Sequence, residues 1–162
     1  MTNTKTTTTL HDSPVPLRAK LAAAWTSFMF LYIYVDYLHL YKPGIIGDLL
    51  AGVVFKFDIS QTFVVIALTS VAIPMFMILL SMTLPARVNR AINFVVASLY
   101  IPYSAFNLVG GEWMAFYGLG VALEVMLLAF ILRTAWTWPR LATSRTATDR
   151  VATPDALATS AG

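Results

Sequence analysis

A chain of 162 residues that is 58% hydrophobic and 12% charged, with a mean hydropathy of +0.72, departs from the roughly 45–50% apolar and about 25% charged composition of soluble domains. That balance excludes an ordinary soluble globule and points to a single domain whose solvent is largely lipid. The absence of cysteine removes disulfides, thiol catalysis and Cys-based metal sites, and the net charge of +3 is distributed unevenly along the chain.

Residues 1–16 (MTNTKTTTTLHDSPVP) are polar and threonine-rich, with too little apolar surface to offset the entropy of ordering, and are expected to form a disordered tail. Residues 141–162 have the same character. The domain between them, residues 17–140, holds four apolar runs, at about Leu21–Leu40, Phe63–Met82, Ala91–Gly110 and Met114–Trp136. Each is close to the ~20 residues that cross a ~30 Å hydrocarbon core as a helix. Helices are the expected form, because lipid satisfies no open backbone and no alternating ten-residue pattern suggests a barrel. The first run is longer than the apolar part of a signal peptide and has no small-residue cleavage site after it, so it is expected to be retained. The expected fold is therefore all-α, an integral membrane four-helix bundle.

Between the first two runs, Lys42-Pro43-Gly44 breaks the helix. The following Ile45–Phe57 (IIGDLLAGVVFKF) mixes apolar residues with a few charges. It is expected to lie as a short helix in the outer interface, the alternative being a loop packed on the bundle. Tyr41, Trp113, Trp136 and Trp138 fall at the boundaries, where an aromatic belt sits. Of the eleven Lys and Arg residues, Lys5, Arg18, Lys20, Arg87, Arg90, Arg133, Arg140, Arg145 and Arg150 would share one side, leaving Lys42 and Lys56 on the other. The positive-inside rule then puts both termini in the cytoplasm, with the chain in the inner (cytoplasmic) cell membrane.

Ionisable groups inside spans are costly and mark function or pairing. Two qualify, Asp36 in the first span and Glu124 in the fourth. At 1.5 Å per residue, Glu124 lies roughly 18 Å from the inner end of its span and Asp36 roughly 22 Å from the inner end of its own. On the third span Asn93, Tyr100, Tyr103, Ser104 and Asn107 fall within about 100° of arc, a stripe that must face protein or water. Tyr32, Thr69, Ser70, Tyr103 and Glu124 share one depth by the same rise, with Asp36 and Asn107 some 4–6 Å further out. Tyr117 and Gly120 share the Glu124 face, and Gly120 leaves room beside it. These residues describe a polar chamber opening outward with Glu124 at its floor. His39, three residues after Asp36, is on the face that would pair with it, although a histidine at a span boundary is more often simply interfacial, and Gly118-x-x-x-Ala122 is a small-residue motif suited to packing a neighbouring span. Pro74 and Pro102 would free backbone carbonyls at mid-depth. No phosphate loop, redox motif or metal-ligand set appears, so neither a cofactor nor a metal is expected.

The segments YIYVDYLHLYKPG (Tyr32–Gly44), RVNRAIN (Arg87–Asn93), Glu124 and AWTWP (Ala135–Pro139) resemble a family of small bacterial four-span membrane proteins known only as a domain of unknown function. The resemblance covers Leu21 to Pro139. It implies four helices and cytoplasmic termini without assigning an activity, and makes Asp36, Arg90, Asn93 and Glu124 the positions that match its recurring polar pattern. Members carry an acidic residue ahead of the Ile-Pro of the second span, where this chain has Ala72. A looser similarity is to DoxX-like four-helix proteins.

Three functions fit. The first is a membrane module that binds a small lipophilic or cationic ligand through Tyr32, Tyr100, Tyr103, Ser104, Asn107 and Tyr117, or assists a membrane partner. The second is a membrane isomerase or cyclase for an isoprenoid-like substrate, with Glu124 as general acid and Asp36 as base. The third is a scaffold whose polar groups only hold helices together. The lipid bilayer, a lipophilic small molecule and a second copy of the chain are the expected partners; nucleic acid is not.

Overall fold

The computed structural model describes residues 13–109 and 112–139. Five helices and one small hairpin follow in chain order. They are α1 (Leu17–His39), α2 (Ile45–Leu50), β1 (Val53–Val54), β2 (Phe57–Asp58), α3 (Gln61–Thr83), α4 (Ala86–Phe106) and α5 (Met114–Trp136). Lys5, Arg140, Arg145 and Arg150, and the expected disordered tails apart from residues 13–16, lie outside the described residues.

Three of the helices, α1, α3 and α5, are long and apolar enough to cross a membrane. The fourth long helix, α4, begins at Ala86, upstream of the apolar run at Ala91 that marks it in the sequence. The reason is Pro85, which occupies the N-cap position with φ −64° and leaves only Leu84-Pro85 between α3 and α4. Arg87 and Arg90 are consequently helical residues rather than loop residues. The start of α3 is capped conventionally, the Ser60 hydroxyl accepting from the Phe63 amide at 3.1 Å.

The Ile45–Phe57 segment is helical only as far as Leu50. Gly52 then adopts φ +82°, a left-handed turn that ends the helix, and the β-branched pair Val53-Val54 forms an antiparallel ladder with Phe57-Asp58. The two-residue turn places Phe55 at φ +57°, a conformation unfavourable for a bulky side chain.

α1 packs against α3 and α5, and α4 packs against α5, with the α3–α4 seam much sparser. The core is concentrated at one end. On α1 the buried residues are Leu21, Ala24, Trp25, Phe28 and Met29, and none beyond; on α3 they are Pro74, Met77 and Ser81, all in its second half. Leu128 and Ile131 of α5 and Val96, Ala97 and Tyr100 of α4 complete that core. At the same end the Arg18 guanidinium donates to the Met82 carbonyl at 3.2 Å, and the Arg90 guanidinium lies over the Trp136 ring at 5.8 Å. These two contacts bring the starts of α1 and α4 beside the ends of α3 and α5. Lys42 marks the opposite end, ion-paired with Glu112.

Candidate functional site

Going inward from the Lys42–Glu112 pair, polar groups line the seam between α1 and α5. The pairing draws the Glu112 carboxyl below its usual range and lifts the Lys42 ammonium above its own. One turn further in, His39 shares a hydrogen bond with the Tyr117 hydroxyl, and so turns to α5 rather than to Asp36. Asp36 itself is exposed on the side of α1. Below it, Glu124 is 1% exposed and neither carboxylate oxygen has a hydrogen-bond partner. The Ser104 hydroxyl of α4, fully buried, also lacks a partner. Ser104 and Asp36 are the side chains within electrostatic reach of Glu124, and Tyr32 feels both acids.

Gly120 sits one turn outward of Glu124, and a Cβ there would meet Val35 Cγ2 at 3.0 Å. The space expected beside Glu124 is therefore occupied by Val35, and Gly120 serves the close approach of α1 to α5. Gly118, which begins the small-residue motif, has nothing within 4 Å of where a Cβ would be, and Ala122 is exposed. Gly120→Leu should cost about 1–3 kcal/mol of stability by forcing the helices apart, measured by denaturation in detergent. Val35→Ala should restore part of it, and an additive double mutant would show that the two residues are not packed together.

The expected level of Tyr32, Tyr103 and Ser70 is present as a hydrogen-bonded chain. The Tyr32 and Tyr103 hydroxyls share a bond of 3.2 Å with their rings stacked, and the Tyr103 hydroxyl reaches Ser70 Oγ at 3.1 Å. Thr69 does not join it, donating back to the Val65 carbonyl of its own helix. Tyr100 lies deeper and donates its hydroxyl to the Ser70 carbonyl. That carbonyl is the one Pro74 leaves without an amide four residues on, so the proline of α3 creates the acceptor that the tyrosine of α4 uses. Tyr100→Phe should cost about 1–2 kcal/mol, and less in a Pro74→Ala background where the helix supplies its own donor; equal costs in both backgrounds would sink this pairing. Asn107 is the half-buried C-cap of α4, beyond the last helical residue.

A second polar cluster lies at the tightly packed end and is complete. The Trp25 indole donates to Asn93 Oδ1 at 2.7 Å. The Asn93 amide donates to Asn89 Oδ1 at 2.6 Å and to the Asn89 carbonyl at 2.9 Å. The Asn89 amide in turn donates to the Ser81 carbonyl at 2.6 Å. Asn93 was legible as part of the polar stripe. Asn89 and Ser81 were not, because the signal for Asn89, an i,i+4 pair with Asn93, appears only once the helix is started at Pro85.

Two shallow grooves lie on the outside of α1. One of about 180 Å³ runs against α3, lined by Thr26, Met29, Phe30, Ile33, Met75 and Ile78. The other, about 360 Å³, runs against α5, lined by Lys20, Ala23, Ala24, Ser27, Leu127 and Phe130. Neither reaches Glu124, which lies within packed protein and not in an open chamber. Among the described residues no three His, Asp or Glu side chains gather as a metal site requires.

Comparison with known proteins extends this picture by one step. Residues 16–144 match the family described as Family of unknown function (DUF6326). The chain belongs to that family. No curated protein and no solved structure matches it, and the likeness to DoxX-like proteins has no match to rest on.

Proposed function

We propose that the chain is a four-span protein of the cytoplasmic membrane, both termini inside, that binds a small cationic, otherwise lipophilic ligand at Glu124. The carrying observation is the buried Glu124 carboxyl, whose oxygens make no well-formed hydrogen bond and which has only the Ser104 hydroxyl of α4 as a hydrogen-bonding neighbour. Buried polar atoms without partners are rare because they forfeit a hydrogen bond and gain nothing in return. A ligand that offers positive charge and donors would satisfy all three oxygens, while the neighbouring Tyr32 and Tyr103 rings would cover its apolar part. Asp36, exposed on α1 toward the Lys42 end, adds a second carboxyl on that side.

The fourth span is α4. Its hydropathy is lowered by Asn89, Asn93, Tyr100 and Ser104, all of which are buried. The face it exposes is Val88, Phe94, Val95, Leu99 and Phe106, which suits acyl chains. What matters to lipid is the outer face, not the average. With α4 crossing, Arg18, Lys20, Arg87, Arg90 and Arg133 share one end and Lys42 and Lys56 the other, which favours the cytoplasm for the first.

Native mass spectrometry of protein extracted gently from its own membranes tests the ligand. The wild type should carry a bound small cation, and Glu124→Gln, which keeps the shape and removes the charge, should lose it. Wild-type protein that is empty, or equal loading in both, would refute ligand binding at Glu124.

A further inference from the structure

The two ends of the path to Glu124 are unlike, and the geometry points to an acid served from one side. Resting on the reading of Glu124 as a cation site, we infer that it exchanges protons, and with them any cationic ligand, only with the end of the molecule that carries Lys42 and Glu112.

On that side polar groups lead most of the way, and the one apolar step is Val35 packed on Gly120, one turn outward of Glu124. Glu112 and Lys42 stand at the mouth, His39 and Tyr117 are bonded across the seam, and Asp36 is exposed about 4–5 Å further along α1. Glu124 lies about 10 Å inward of Tyr117 along α5, within reach of both Asp36 and Tyr32. Packing is also open there: residues 33, 34, 36, 37 and 38 of α1 and residues 64–69 of α3 are exposed.

On the other side the path is closed. Trp25, Phe28, Leu128 and Ile131 are 0% exposed, and the rings of Phe28, Trp25 and Tyr100 meet edge to face at centroid distances of 5.8–6.4 Å. Beyond them the Asn93–Asn89 cluster is a set of amides and one indole, already bonded and without an ionisable proton. Among the described residues the one titratable side chain between Glu124 and the arginines is Tyr100, whose hydroxyl is already donated to the Ser70 carbonyl. The charged and titratable groups near Glu124 are therefore Asp36 and Tyr32 from α1, with Tyr103 of α4 linked through Tyr32 and Tyr100 of α4 beneath, while Tyr117 lies two turns outward on its own helix. From α3, which carries no ionisable residue, there is none.

Dicyclohexylcarbodiimide, a lipid-soluble reagent that reacts only with protonated carboxyls, reads this directly. The full-length chain carrying Gly47→Cys is reconstituted into sealed vesicles, where that thiol reports which way each molecule faces. The chain has no other cysteine, and position 47 has nothing within 4 Å of a new Cβ. Modification at Glu124 is quantified by peptide mass spectrometry, with Glu124→Gln as blank, while the pH on each side is set separately. Labelling should fall several-fold when the Lys42 side is made alkaline and stay constant when the arginine side is. Labelling that follows the arginine side, follows both sides equally, or is absent at every pH would overturn the inference. The outcome is independent of the ligand: a ligand bound with labelling set from the arginine side defeats only the route. Empty protein with labelling set from the Lys42 side defeats only the ligand.

Discussion

Replacing Glu124 by methionine is expected to make the protein more stable and to abolish ligand binding. The carboxyl is buried with neither oxygen in a well-formed hydrogen bond and only the Ser104 hydroxyl as a hydrogen-bonding neighbour, and a poorly satisfied buried polar group costs about 1–3 kcal/mol, more if it is charged. Methionine is unbranched and apolar, so it removes that group and refills the space with a flexible chain. Unfolding in detergent should become less favourable by about 1–3 kcal/mol, while the bound species seen in the wild type disappears. Sites kept for function commonly trade stability in this way. A scaffold role predicts the reverse sign, because a carboxyl retained to tie helices together would be missed when it is removed. Loss of stability in Glu124→Met would therefore count against a binding role and for a structural one.

The largest destabilisation is expected from Trp25→Ala. Trp25 is 0% exposed, meets Phe28 and Tyr100 edge to face, and donates the only bond from α1 to the Asn93–Asn89 cluster. Truncation removes those contacts and opens a cavity, at a cost on the order of 3–5 kcal/mol in well-packed cores. In lipid the lost packing counts in full even though transfer from water does not. Trp25→Phe should cost less, since the ring survives and only the indole donor is lost. The bond is separable by a double-mutant cycle: Trp25→Phe and Asn93→Leu should each destabilise, and the pair should cost less than their sum by about 0.5–1.5 kcal/mol. Strict additivity would mean that the 2.7 Å contact contributes nothing measurable.

The long helices were legible because lipid demands a composition that few other environments do. Leu21–Leu40, Phe63–Met82 and Met114–Trp136 differ from the observed α1, α3 and α5 by a few residues at most. The third run, Ala91–Gly110, starts five residues after α4 does, because apolarity marks where a helix would meet lipid, whereas Pro85 marks where it begins. The stripe of Asn93, Tyr100 and Ser104 was readable from the 100° period, and all three are buried. The i−4 rule applied to Pro74 leads to Ser70, whose carbonyl Tyr100 uses. Other features depend on which helix lies beside which, and periodicity within one helix contains no such information. The choice of Tyr117 by His39, of Val35 by Gly120 and of Ser81 by Asn89 all belong to this kind. The hairpin after α2 was missed for a different reason. Its turn holds Phe55 at positive φ, where sequence statistics favour glycine or asparagine.

The concentration of the core at the arginine end has an electrical consequence. A membrane potential drops mainly across the part of the thickness from which water is excluded, and carrying one charge across the whole of it is worth about 2.3 kcal/mol per 100 mV. In the proposed four-span arrangement, with the packing closed from Phe28 to Ser81, the steep part of the field would lie between Glu124 and the arginines. The amides and indole there are neutral, so a change in potential finds no net charge to pull on. A cation reaching Glu124 from the Lys42 end crosses only the shallow remainder. Its occupancy should therefore follow the composition of the solution on that side and respond only weakly to voltage.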